Sequence, residues 1–523
     1  MKHTDLKSIL KRTVCGTLTA FCIFCCACTG TDSDSTLGET ISDTNAPEIT
    51  VNDVTEPSED TSSVTENTET NDVTTEIGSD SHTDVFTSET TDFESIIDST
   101  ETDSITTDVI TDDITTDEVT TDAITTAPKP PKPTEKTSKP VIVGTVSQAS
   151  DRVIIYGTTE YGAKITYKGQ KSSSLTDKAA GHNFYVEVNG SKSDVITLYA
   201  TADGKTASDP VTVEVSFGGE KTDVFAGRNS RLFYRPTVSF MFGSHQAQEN
   251  MLKYTANRLN AVLKEVQKRT GKDTKLIYLI APNPVTVYAD EQYDYLLNAT
   301  GGKQHPTAGS QFVSYMNGVG KNEDIIVLDL LKVFNQHKNE MIYFSTDTHW
   351  SELGAYYAYR EMMGYINKDF PNAKAHELSE FNIETVNCKG GDLRSMLHAD
   401  NMTEETPFLI ANFTDTGDVY PVKRSDDIGY RISGINWGLY PKDSYIKNSS
   451  LPTAYALSDS YGAYFLPFAG MGFSHLRLHG ANNNTPIDIN EIAKMKPDYI
   501  IFNYTDRNID SNLGMIIHLW SAI

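Results

Sequence analysis

Positive charge is missing from one long stretch of this 523-residue chain: between Thr31 and Ala127 there is neither lysine nor arginine. Of the 71 acidic residues 27 fall in that stretch, and the other 44 balance the 44 lysines and arginines, so the whole net charge of −27 resides there. A tract made mostly of Thr, Ser, Asp and Glu buries too little apolar surface to offset the entropy of ordering it. The expectation is a self-repelling, disordered linker. Its Thr-Thr-Asp phrases lack the fixed ligand spacing and turn glycine of a calcium loop, which leaves a solvated spacer. The near-neutral remainder argues against a nucleic-acid partner.

Cysteine is almost absent after the first 28 residues, where five of the six lie; only Cys388 remains. No intrachain disulfide is therefore available, and Cys388 reads as a small buried hydrophobe. His245, His305 and His398 have no second histidine or cysteine at ligand spacing. No metal and no cofactor are expected. Long apolar runs are also lacking, apart from Val14 to Ala27, which follows Lys2, Lys7, Lys11 and Arg12. That charge and length suit a secretory signal rather than a spanning helix, so export is expected. Cys28, with Ala27 before it and a polar tail after it, is the lipidation candidate, although Cys25 stands where a lipobox usually has leucine. Lipid anchoring and simple cleavage are the two readings.

What is present divides the chain into four parts: a signal with lipobox over 1–28, the linker over 29–139, a small all-β sandwich over 140–217 and a catalytic domain over 218–523. The linker ends in an alternating Pro/Lys collar from Pro128 to Pro140, stiffer than the tract before it. Beyond it Val153-Ile154-Ile155-Tyr156, Phe184 to Val188 and Val211 to Val215 are strand-like runs set off by Lys168-Gly169, Asn189-Gly190 and Asp203-Gly204. This spacing resembles bacterial immunoglobulin-like modules, an architectural signal that carries no site; a spacer is the expected role and glycan binding the alternative.

After Val224 strand and helix alternate. Met251, Leu252, Leu259, Val262, Leu263 and Val266 follow helical spacing, and Leu276 to Ile280 is the continuous apolar run of a strand buried on both faces. Ile325 to Leu328, the run Ile342-Tyr343-Phe344, Ala454 to Leu457 and Tyr499 to Phe502 repeat that character. The fold class is α/β, a doubly wound parallel sheet, with ligands expected beyond the carboxyl ends of the strands.

Two of those runs lead into chemistry. Asp347-Thr348-His349-Trp350 follows Phe344, and Ser458-Asp459-Ser460-Tyr461 follows Leu457. A serine hydroxyl needs a base within hydrogen-bond reach, and the base needs an orienting carboxylate. Ser460, His349 and Asp347 supply these, with Asp347 and His349 expected on one side of an extended segment. Ser351 and Glu352 suit the start of the helix that follows. Alone, Asp-x-His is a common surface triplet and Ser-Asp-Ser a common helix cap.

Together the motifs resemble the permuted SGNH-hydrolase-like domain of the AlgX and AlgJ polysaccharide O-acetyltransferase family, the DHHW proteins. The resemblance runs from about Val224 to the C-terminus. It takes in Gly227 to Tyr234, Ala281-Pro282-Asn283 with Val287-Tyr288, Gly391-Asp392-Leu393, and Lys496 to Ile501 with Arg507. Two positions depart from the pattern: Ser458 replaces the glycine before Asp-Ser, and Pro284 replaces the lysine after Pro-Asn. The resemblance implies an exported O-acetyltransferase in which an acetyl group passes through Ser460 to a cell-surface or secreted polysaccharide, supplied by a membrane-bound O-acyltransferase partner. An esterase with the same triad and a carbohydrate-binding surface protein with a decayed site are the alternatives. Chain order in the permuted fold puts Gly480 and Asn503 in the oxyanion blocks and Arg507 in the closing motif, beside the Ser460 N–H. Trp350 and Tyr461 pack the site or floor a sugar subsite.

Overall fold

The computed structural model describes residues 133–149, 151–170, 175–219, 222–242, 245–291, 305–414, 442–480 and 488–509. The signal, Cys28 and the acidic linker lie outside the described residues as far as residue 132. Where the collar ends, Thr206 N–H donates to Glu135 O at 2.8 Å and Thr137 N–H to Thr206 O at 2.9 Å.

Seven strands follow: β1 (Val141–Ala149), β2 (Arg152–Thr158), β3 (Lys164–Lys168), β4 (Leu175–Lys178), β5 (Asn183–Asn189), β6 (Asp194–Thr201) and β7 (Val211–Val215). They form two antiparallel sheets, β1-β2-β5 and β4-β3-β6-β7. Side chains alternate across a strand, so Val153 and Ile155 of β2 enter the core between the sheets with Phe184, Ile165 and Leu198. The intervening Ile154 and Tyr156 are buried as well, in a second cluster with Tyr185, Val224, Leu232, Leu393, Leu397 and Met402. The three-stranded sheet is therefore covered on both faces, its outer face by residues of the following unit. Each of these large side chains contributes roughly 1.5–3 kcal/mol by leaving water.

That unit opens with the hairpin β8 (Val224–Ala226) and β9 (Leu232–Tyr234). Its main sheet uses β10 (Lys275–Ala281), β11 (Ile325–Leu328), β14 (Lys442–Tyr445), β15 (Thr453–Ser458), β16 (His475–Gly480) and β17 (Tyr499–Thr505), in the order β11-β10-β17-β15-β16-β14. All neighbours are parallel except the edge strand β14. The remaining pair, β12 (Phe381–Cys388) and β13 (Glu404–Ala411), is an antiparallel ribbon. Six helices matter for packing: α1 (Glu249–Thr270), α2 (Ala308–Asn317), α3 (Leu330–His337), α4 (Glu352–Asp369), α5 (Gly462–Ala469) and α6 (Ile489–Met495). Leu276, Tyr278 and Ile280 of β10 pack with Leu259, Val262 and Val266 of α1 and with Ile492 of α6. Ile277, Leu279 and Ala281 face the other way, into the cluster holding α4 and α5. Both faces are covered, which is the doubly wound arrangement that continuous apolar runs require. Cys388 is buried at the end of β12, and burial pushes its thiol up to about 11.

One expected strand is absent. Ile342-Tyr343-Phe344 forms only an isolated bridge, Tyr343 with Trp350, and residues 345–349 are bends. The apolar run is explained by burial instead of a ladder, since Ile342, Tyr343 and Phe344 all join the α4 and α5 cluster. The chain folds back on itself there, with Ser351 N–H donating to Ile342 O at 3.0 Å. Gly354 allows this, because a Cβ at that position would overlap Ile342 O.

Candidate active site

Ser460 stands on the turn between β15 and α5, two residues past the strand end. Asp459 fixes that turn: its carboxylate accepts the Tyr461 N–H at 3.0 Å, the Thr505 N–H at 2.8 Å and the Asn508 amide at 2.8 Å. These contacts tie the turn to the end of β17. Among the described residues nothing accepts from the Ser460 N–H, which leaves it available to an oxyanion.

The bent loop after Phe344 brings the other two groups to Ser460. Ser460 Oγ lies 2.7 Å from His349 Nε2, and His349 Nδ1 lies 2.7 Å from Asp347 Oδ1. With a carboxylate at Nδ1 the proton resides on that nitrogen, so neutral imidazole accepts the serine proton at Nε2. The Asp347 side chain is 12% exposed and that of His349 18%. Asp347 Oδ1 also accepts the His349 backbone N–H at 2.9 Å, so the carboxylate wraps onto the residue two ahead in a bend. This replaces the expected extended alternation.

Asp347 Oδ2 accepts the Asp392 N–H at 3.2 Å. The approach is close enough that a Cβ at Gly391 would overlap Asp347, which gives the Gly391-Asp392-Leu393 block a physical reason. Asp392 in turn accepts the Thr348 N–H at 2.8 Å and the Thr348 hydroxyl at 2.6 Å. Burial raises the Asp347 carboxyl, but the His349 charge and the three donors outweigh it and hold it below the ordinary range. Burial pulls His349 down, yet the Asp347 charge and hydrogen bond leave it raised. Burial and the neighbouring Asp347 charge push Asp392 up to about 6.

Asp347, His349 and Asp392 each place a ligand atom within 4.8 Å of the others, a set that could hold a metal ion. Each of their carboxylate oxygens accepts at least one of the hydrogen bonds just named, a pattern suited to orienting an imidazole.

The remaining expected residues fall in different places. Trp350 and Tyr461 are fully buried; Trp350 Nε1 donates to Tyr461 O at 3.0 Å and the Tyr461 hydroxyl donates to Thr348 O. They support the loop from behind and offer no ring face to a sugar. Arg507 donates to Thr348 O at 3.3 Å and to Thr348 Oγ1 at 3.2 Å, so it braces the same loop, beside a small cleft lined also by Phe233 and Pro284. Register sets Gly480 and Asn503 on either side of Ser458, short of Ser460. The Asn503 amide donates to Ser458 Oγ at 3.0 Å and is wholly buried, so it ties β17 to β15. Gly480 closes β16, and the residues after it, 481–487, lie outside the described ones.

Three residues had no role in the sequence reading: Asp392, Arg231 and Glu404. Asp392 lay in a quoted block. Glu404, 2% exposed, accepts the N–H and hydroxyl of both Ser345 and Thr346, and a lone glutamate 59 and 58 residues further along the chain gives no sequence signal of that.

Residues 224–427 match the family model described as SGNH hydrolase-like domain, acetyltransferase AlgX. The match begins at the expected residue and includes Asp347 and His349, and it ends before Ser460. No curated protein matches the chain. Among solved structures, Bacillus cereus PatB1 with a sulfonyl adduct is 14% identical, with 56% of this chain and 96% of that one aligned at a TM-score of 0.40. The O-acetyltransferase domain of Pseudomonas putida AlgJ is 15% identical, over 57% and 99%, at 0.35. A DHHW family protein from Eubacterium siraeum is 16% identical, over 62% and 96%, at 0.35.

Proposed function

We propose, from the match of residues 224–427 to the model of an SGNH hydrolase-like domain, acetyltransferase AlgX, an O-acetyltransferase that acylates a polysaccharide through Ser460. The observation that carries the reading is the 2.7 Å approach of Ser460 Oγ to His349 Nε2, with Asp347 behind the imidazole. His349 takes the serine proton as Oγ attacks the acetyl carbonyl carbon, and the Ser460 N–H donates to the oxyanion. The leaving group departs with the proton from His349. A sugar hydroxyl then gives its proton to His349 and attacks the acyl-enzyme, and the bond to Oγ breaks as His349 returns that proton to the serine oxygen.

The acceptor is a cell-surface or secreted glycan, reached by an exported enzyme whose acyl donor is a membrane-bound O-acyltransferase. Attachment is through a lipid on Cys28; among the described residues no helix is long and apolar enough to cross a membrane. The test is incubation of the protein with an acetyl ester and candidate glycans. Expected are an acetyl adduct on the Ser460 peptide and mass gain on a glycan. Acetate release with no glycan acetylation would favour the esterase, and absence of any Ser460 adduct would refute the nucleophile.

A further inference from the structure

Two sets of contacts run from the β1–β7 sheets into the loop that carries Asp347 and His349. In the first, Asp177 of β4, 8% exposed, accepts the Asn229 N–H, and Ser230 Oγ donates to Lys178 O at 2.8 Å. Asn229 and Ser230 are both left-handed, with φ of 57° and 54°. Non-glycine residues hold that conformation only where surrounding contacts enforce it. The next residues reach the loop: Arg231 Nη1 donates to Phe344 O at 3.0 Å and Leu232 N–H to Ser345 O at 2.8 Å.

In the second set, Asn183 Nδ2 of β5 donates to Thr403 O. The adjacent Glu404 is the carboxylate that accepts from Ser345 and Thr346. The carbonyls of 344–345 are thus held from one side and the N–H groups of 345–346 from the other. Asp347 follows directly. No strand or helix fixes this stretch; its path is set by these contacts together with the Leu393 and Arg394 N–H groups, which donate to Thr346 O at 3.1 and 3.2 Å.

We propose that the β1–β7 unit is a working part of the active site in place of the spacer expected for it, with Asp177, Asn183 and Glu404 as positioning residues for the Asp347–His349 pair. The proposal rests on the reading of Ser460 as the acylated nucleophile. Its carrier is the relay from two strands of one unit to the three residues, 344–346, that precede the catalytic carboxylate of the other. Shared burial of Ile154, Tyr156 and Tyr185 with Leu393, Leu397 and Met402 keeps the two units in one register.

The experiment compares Asp177→Ala, Asp177→Asn and Asn183→Ala in the full chain, with thermal melts to establish folding. Acetyl-ester turnover is measured beside the downfield proton resonance of the His349–Asp347 hydrogen bond. Asp177→Ala should lower kcat by about tenfold to a hundredfold, the scale of a displacement of about 1 Å, with KM unchanged and the resonance shifted or broadened. Asp177→Asn keeps an acceptor oxygen for Asn229 and should restore both. Asn183→Ala, which removes one contact of the second set, should move the resonance in the same way and serves if Asp177→Ala does not fold. A folded Asp177→Ala with parent kcat and an unmoved resonance would overturn the proposal, as would equal losses in the alanine and asparagine variants. If the parent has no Ser460-dependent turnover, the functional reading fails while the resonance still decides the positioning role.

Discussion

Replacing Asp347 by Asn separates two contributions that the carboxylate makes. Its Oδ1 accepts two donors, the His349 ring at 2.7 Å and the His349 backbone at 2.9 Å, whereas Oδ2 accepts one, the Asp392 N–H at 3.2 Å. An asparagine must present its NH2 at one of these places. Facing Asp392 it gives up the single longest bond; facing His349 it gives up both short ones and turns a donor toward Nδ1. The first arrangement is favoured, so the imidazole keeps its proton on Nδ1 and the loss is confined to the charge. A hydrogen bond to a charged group is worth about 1.5–3 kcal/mol against about 1 for a neutral one. With the lost attraction for the imidazolium of the transition state, about 2–3 kcal/mol is removed, or about 30- to 150-fold in kcat. A flipped tautomer in other triads costs about 10⁴-fold. Steady-state hydrolysis of an activated acetyl ester, followed above the pH at which His349 titrates, measures the difference. A loss near 10⁴-fold would refute the argument from the donor count, and an unchanged kcat would remove Asp347 from the mechanism.

Ser460→Ala should abolish the acyl adduct while shifting stability by no more than about 1 kcal/mol, because the hydroxyl bonds only to His349 among the described residues; thermal melts and adduct mass spectra check both halves. Gly391→Ala forces a methyl into Asp347 and should cut kcat by about tenfold to a hundredfold with a lowered Tm. The rate should depend on pH through His349: its value is raised by Asp347, so kcat/KM should climb with pH through a point above the ordinary imidazole value of about 6.5. The stability from this pair has the opposite limb on the histidine side, present below about pH 6.5 and lost as pH rises through the folded value. On the Asp347 side, where the value is lowered, stability is present above about pH 4 and lost as pH falls through the folded value. Chemical denaturation across that range reads both limbs, and a kcat/KM limb centred below 6.5 would contradict the raised imidazole.

Periodicity was enough for the helix α1 and for β10, β11, β15 and β17, because strands covered on both faces must be apolar at every position. It misread Ile342 to Phe344 for the same reason: burial demands apolar side chains whether or not a ladder forms, and the groups that replace the ladder, Arg231 and Glu404, lie 112 and 59 residues away along the chain. The triad was legible since its chemistry permits few residue types. The contact of Asn503 with Ser458 was not legible, because a polar residue near a strand end can face the site or its neighbouring strand, and only register pairs the two. The role of Asp177 required knowing which loop the two sheets lie against.

The last strand of the main sheet along the chain is one of its innermost. β17 sits between β10 and β15, pairing Lys275 with Tyr499 across more than two hundred intervening residues. Until Tyr499 to Thr505 have been made, β10 and β15 each expose an unsatisfied edge, and Asp459 has no Thr505 N–H to hold the nucleophile turn. Assembly of the sheet must therefore wait for nearly the whole chain, a topology that folds slowly and leaves adhesive edges open in the interval. The main sheet of a polypeptide built this way closes only once Thr505 has been made, and the turn that carries Ser460 is tied down with it.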